Sequence, residues 1–171
     1  MAKEVLYLKT GKTTSTASSD TNAQNGWVDA YLKYGLSLED GALSKLIAPA
    51  ANKKPVGNSN ALTGGVAYLG SSVGVKDERQ LSLDVHICAS TKADFWTKYS
   101  SFCAEILDHA VGDHIRLKHV DDGMRVHHFV YQNCEPFMQF QGEMAKFTLI
   151  LLEPHPELIT EEQKIYSNDY K

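Results

Sequence analysis

Seven histidines, three cysteines and a scatter of carboxylates are the side chains here that could do chemistry. Their spacing speaks against most of it. His127 and His128 are adjacent, and on a strand neighbours point to opposite faces, so the two do not easily chelate one ion. His114 and His119, five apart on a predicted strand, also face oppositely. The sequence has no HExxH and no Cys/His cluster. Surface or half-buried histidines are expected, with no metal. Cys88, Cys103 and Cys134 form neither a paired disulfide framework nor a CxxC. A nucleophilic cysteine needs an accessible electropositive setting and a base. Cys103 falls instead on a predicted apolar stripe, where a small core hydrophobe fits. Glu105, Asp108 and Asp113 form no pair at a glycosidase-like separation and are expected to be solvated. Gly11-Lys12-Thr13 hints at a phosphate-binding loop. Leu6, however, stands where that pattern needs its first glycine, and no helix pattern follows. Neither catalytic nor cofactor-binding residues are expected.

The elements that would position such groups are clearest over residues 79–154. Leu81, Leu83, Val85 and Ile87 alternate with Gln80, Ser82, Asp84 and His86, which predicts a half-buried antiparallel strand. Phe95, Tyr99, Phe102, Cys103, Ile106, Leu107 and Ala110 recur at helical spacing and predict a helix over residues 91–110 with one wide apolar stripe. Thr91 and Asp94 resemble a capping box, and Gly112 is a plausible stop. Trp96 lies beside the stripe. It either widens the core face or marks a contact, and the width of the stripe favours core. Residues 114–120 and 124–131 flank Asp121-Asp122-Gly123, a hairpin signal. Residues 137–140 and 144–152 flank Gln141-Gly142, a second one, and Pro154 and Pro156 end the last strand. The order read is β-α-β-β-β-β, mostly antiparallel, in one core.

Upstream, residues 5–8 suggest a strand. Residues 9–25 are rich in Thr, Ser and Asn and predict a polar arm that orders against a neighbouring subunit. Residues 29–38 fit two strand pieces or a short helix, and Gly35 favours strand over 34–38. Residues 41–46 suggest a helical turn. Residues 48–74, punctuated by Gly, Pro and Asn, predict a loop too long for a simple connection. Its apolar residues Val56, Leu62, Val66, Tyr68 and Leu69 need cover, which makes them the expected subunit interface.

A chain of 171 residues suits one main domain. The formal net charge is −4, from 17 basic and 21 acidic residues, with no long basic run to mark nucleic acid as a partner. The longest strongly apolar run, residues 149–152, is far short of the ~20 a membrane span needs. The start lacks the apolar core of a signal peptide, and the unpaired cysteines fit synthesis in a reducing cytoplasm.

Glu78-Arg79 opening a strand, the helix near Asp94-Phe95, the hairpins and the closing Lys146-Phe-Thr-Leu-Ile-Leu-Leu-Glu-Pro together resemble the N-terminal, tail-tube-like domain of bacteriophage distal tail proteins. Tyr34-Gly-Leu-Ser-Leu, the Pro- and Lys-containing stretch 48–56 and Gly64-Gly65 follow the same order. The resemblance covers residues 27–156. It implies an α+β, mainly β fold: an antiparallel tail-tube-like β-sandwich or barrel with one flanking helix. Residues 1–26 would be an N-terminal strand and polar arm, 27–156 the β domain and 157–171 a C-terminal tail. The implied protein is a structural virion component and not an enzyme. It would assemble with itself in a hexameric ring and join the tail tube to the baseplate or tail tip, with no cofactor, no sequence-specific nucleic acid and no membrane. Tail tube and tail terminator proteins share the fold and are the first alternative. A small-ligand-binding or hydrolytic enzyme is the alternative of another class. Because the chain stops soon after Pro156, the second, carbohydrate-binding-like domain of longer relatives is expected to be absent.

Overall fold

Alternating apolar residues must pair to bury one face, and they do so in a computed structural model that describes residues 5–15, 20–53, 57–59, 66–68, 76–109 and 111–156 (at 57–59 and 66–68 the backbone alone). In chain order the elements are β1 (Leu6–Lys9), β2 (Val28–Asp29), α1 (Ala30–Tyr34), β3 (Leu36–Leu38), α2 (Ala42–Ile47), β4 (Gly57–Ser59), β5 (Val66–Tyr68), β6 (Arg79–Cys88), α3 (Lys92–Phe102), β7 (Ile115–His119), β8 (His127–Cys134), β9 (Gln139–Phe140) and β10 (Met144–Glu153). The main sheet runs β2-β1-β7-β8-β10-β6-β3, with β9 also on β10. Every pairing among the described residues is antiparallel. The expected class, α+β and mainly β, is the one observed, as is the order from β6 through α3 to β10.

The β6–β10 pair sets the register. Leu81 faces Leu151, Leu83 faces Leu149, Val85 faces Phe147 and Ile87 faces Ala145, so both strands turn the same apolar face inward. Strand β8 pairs with β7 through its first three residues and with β10 through its second half, with a register shift opposite Ile150 and Leu151. Such a bulge bends a strand. The sheet therefore curls, and Leu6, Leu8, Ile115 and Leu117 of one half share a core with Leu83, Leu149 and Leu151 of the other. Phe95, Phe102 and Ile106 of the helix pack against it.

Several expectations change. The helix predicted over 91–110 is α-helical only from Lys92 to Phe102, then widens into a π-turn over Cys103–Leu107. Neighbours satisfy its last carbonyls: Thr10 donates to Glu105 O at 2.5 Å, and Lys12 Nζ donates to Asp108 O. Thr91 caps it, accepting from Asp94 N at 3.1 Å, while the Asp94 carboxylate turns to Ser90. Trp96 is not core; it is half exposed beside buried Phe95. Tyr34 ends helix α1 and does not begin a strand. Gly35, at φ +64°, stops that helix and lets β3 start at Leu36. The strand predicted over 124–131 runs over 127–134, because Val120–Asp122 forms a 3-10 turn and Gly123 and Met124 both have positive φ. The stretch 48–74 contains the short β4–β5 pair, which forms a sheet of its own.

The polar stretch 9–25 contributes more to its own subunit than its composition predicts. Thr10 and Thr13 are buried, with Thr13 Oγ1 donating to Thr10 O and Gly26 O. Asp20 accepts from Tyr7 OH at 3.0 Å. Tyr7, Ala23, Trp27 and Val126 make a second small core. Hydrogen-bonded threonines can be buried at little cost, which a tally of apolar residues overlooks.

Candidate functional site

The inward face of the β6–β10 pair does not stay apolar to its end. One step beyond Leu81 and Leu151 the register places Arg79 opposite Glu153. Arg79 Nε donates to Glu153 Oε2 at 2.5 Å. Glu153 Oε1 lies 3.1 Å from His127 Nδ1, and His127 Nε2 lies 2.6 Å from Asp122 Oδ2. Arg125 Nε stands 3.9 Å from the other Asp122 oxygen. The His127 and Glu153 side chains have no exposure and Asp122 almost none. His127 reaches this row because β8 turns residues 127 and 129 to one face, where the two rings stack at 5.9 Å. Asp122 arrives from the 3-10 turn. A charged row thus closes one end of the core.

The row resembles the acid–histidine pairs of hydrolases, yet its connectivity differs. A catalytic histidine keeps one ring nitrogen for the reacting group while a carboxylate holds the other. In His127 both nitrogens face carboxylates. A neutral ring has one N–H, so the second contact needs a further proton, on the ring or on a carboxyl. Both Glu153 oxygens are also taken. The arrangement can hold charge and fix geometry, but it leaves no free base.

Arg79 extends the row outward. Its Nη2 donates to Leu46 O at 3.1 Å and its Nη1 to Ala48 O, which satisfies the C-terminal carbonyls of α2. The chain then leaves toward β4. It returns through a clamp: Asn52 bridges Lys76, Lys76 Nζ donates to Asn52 Oδ1 at 2.9 Å, and Asp77 N donates to Ala51 O at 2.8 Å. The excursion carrying the expected interface residues therefore springs from the charged end of the core. Val66 and Tyr68 lie in β5, paired with Ser59 and Gly57 of β4. Val56, Leu62 and Leu69 lie outside the described residues.

The remaining candidates are largely committed to structure. His114, His119, His127 and His128 are buried, deeper than the surface or half-buried placement expected. Burial pushes the pKa of His114 and of His119 down. The His114 and His128 rings lie 6.1 Å apart. His114 borders a surface depression of about 590 Å³ with His109, Asp113 and Tyr131. Asp113 is not simply solvated there, since it accepts from Gly11 N at 2.6 Å and from Arg116. Gly11-Lys12-Thr13 thus binds a carboxylate and carbonyls of its own chain. Glu105 is also paired, with Lys33 at 2.8 Å and with Tyr34 OH. Cys103 sits half-buried against the core, and burial raises its thiol pKa. No group of three or more His, Cys, Asp or Glu among the described residues is placed to hold a metal ion.

In the sequence, Arg79 and Glu153 stand out only as residues opening and closing strands. Their positions, two residues beyond Leu81 and Leu151 in the alternation, were the available signal that both point inward.

No family model matches the sequence, and no curated protein matches it. Among solved structures, it is similar to the SPP1 Dit protein, presented as a paradigm of the hub adsorption apparatus in phages that infect Gram-positive bacteria. The TM-score is 0.49 and the identity 12%, over 89% of this chain and 51% of that one. This chain thus spans about half the length of that protein. A likeness at this level leaves the function to be argued from this chain's own residues.

Proposed function

We propose that this chain is a structural subunit of a bacteriophage tail: a ring-forming distal tail or adaptor protein that links the tail tube to the baseplate or tail tip. The β4–β5 excursion is the observation that carries the reading. It forms a sheet apart from the main one and is clamped at its root by Asn52 and Lys76. It carries the apolar residues Val56, Leu62, Val66, Tyr68 and Leu69, which need cover. A neighbouring subunit supplies that cover. The alternative joint, growth at a sheet edge, has little to work with. Edge strands β2 and β3 are two and three residues long, a poor template for pairing.

Two further features support a mechanical role. The Arg79 and Glu153 that carry the family resemblance also close the core, so the resembling residues have a structural task. The acid–histidine row is sealed and has no free ring nitrogen, which sets it apart from a hydrolytic site. On this reading the subunits close head to tail around a channel, in the virion, with the hairpin of each reaching the next. Negative-stain imaging of the purified full chain tests this. Closed rings are expected, and a field of single subunits at all concentrations would contradict it.

A further inference from the structure

Trp96, Met138 and Phe140 are 51%, 60% and 49% exposed, although their neighbours are core residues. The Trp96 and Phe140 rings lie 6.0 Å apart. Beneath them, Phe95 meets Trp96 at 5.4 Å and Phe140 at 5.7 Å. Tyr99 meets Trp96 at 5.9 Å, and Phe137 meets Phe140 at 6.2 Å. The outer rings are thus braced from below, and ordering them on contact costs little entropy. Exposed Trp, Phe and Met on a fixed base are the residue types that dominate interface cores.

We infer that this aromatic platform receives the segment 54–75 of a second copy of the chain. The inference rests on the self-assembly proposed above and names the surface on which it occurs. Position is the first argument. The platform stands at the Cys88 and Met144 end of the β6–β10 pair, since β9 pairs there through Phe140 and Ala145. The excursion leaves at the Arg79 and Glu153 end. The ten residues of β6 separate the two ends by about 30 Å. A head-to-tail ring needs a donor and an acceptor on different parts of the subunit, and these two features meet that need. Reach is the second argument. Segment 54–75 has 22 residues. Folded back on itself, a chain of that length can span about 35 Å, comparable to the separation of the two ends. Chemistry is the third. The segment carries Val, Leu and Tyr side chains with a single charged residue, Lys54. It therefore brings apolar surface to apolar rings without burying an unpaired charge at its centre.

The test combines a variant with a crosslink. Trp96→Ser with Phe140→Ser, checked for a native circular dichroism spectrum and melt, is expected to weaken association roughly 30-fold or more, as for hot-spot aromatics. A photoreactive phenylalanine at position 96, in a mixture of isotopically light and heavy subunits, is expected to give light–heavy crosslinks into segment 54–75. If the double variant assembles as the wild type does, or the crosslinks stay within one copy, the platform is not the acceptor although the ring reading stands. A wild type that never assembles overturns both.

Discussion

Arg79 and Glu153 stand directly opposite each other in the β6–β10 register, and their side chains meet at 2.5 Å at the end of an otherwise apolar face. The same arginine holds the carbonyls of Leu46 and Ala48, where the chain departs for the β4–β5 hairpin. One guanidinium thus ties the core to the root of the proposed joint. Removing either partner leaves a charge buried without its mate, which costs more than the pair gains when intact.

Glu153→Gln and Arg79→Met are each expected to cost about 3–5 kcal/mol, as broken buried pairs do. Urea unfolding measures this directly. Lys98→Ala removes only a partly exposed partner of Asp94 and should shift the midpoint little. If Glu153→Gln unfolds like the wild type, the row does not contribute as described.

Acid should destabilise the fold in a window set by His114 and His119. Burial lowers both folded pKa values below the ordinary 6.5. Below that pH the unfolded chain takes up protons that the folded one refuses. Their neutral forms favour folding above about pH 6.5, and the advantage is lost as pH falls toward the folded values. The slope is at most about 1.4 kcal/mol per pH unit for each histidine. Asp84, held low mainly by the Thr148 hydroxyl, acts only in the lower carboxylate range. Urea midpoints at pH 7.5 and 5.5 should differ less in His114→Phe than in the wild type; equal differences would remove His114 from the account.

Gly35→Ala should be among the most damaging single changes. Gly35 has φ +64°, and a β-carbon there would lie 2.2 Å from Cys88 O. Strain and clash together should cost on the order of 3 kcal/mol. A thermal melt of Gly35→Ala within a degree or two of the wild type would show that the α1–β3 turn can relax around it.

Cys103 should react slowly with iodoacetamide in the folded protein. Burial raises its thiol pKa, and the side chain packs against the core. Cys103→Ser should cost on the order of 1 kcal/mol for a poorly partnered hydroxyl. Rapid alkylation under native conditions would place the thiol outside the core.

The sequence made the sheet legible wherever alternation ran long. Leu81 to Ile87 and residues 144–152 declared strands with a buried face, and Thr91 marked the helix start within one residue. What could not be read depended on partners distant in the chain. His127 is buried because Glu153 and Asp122 reach it, and no local pattern around residue 127 contains Glu153. The last carbonyls of the widened helix tail are bonded by Thr10 and Lys12 from across the molecule. The described residues of the polar arm dock through hydrogen bonds of Thr13 and Asp20, which hydropathy does not register. Trp96 sits beside the stripe, where a small rotation of the helix decides between core and surface.

Native mass spectrometry of the full chain beside a version with residues 61–69 replaced by a short Gly-Ser linker tests the assembly claim most directly. A closed oligomer is expected for the wild type. A folded monomer that still unfolds cooperatively in urea is expected for the shortened chain. A shortened chain that still forms the same oligomer at the same concentration would contradict it.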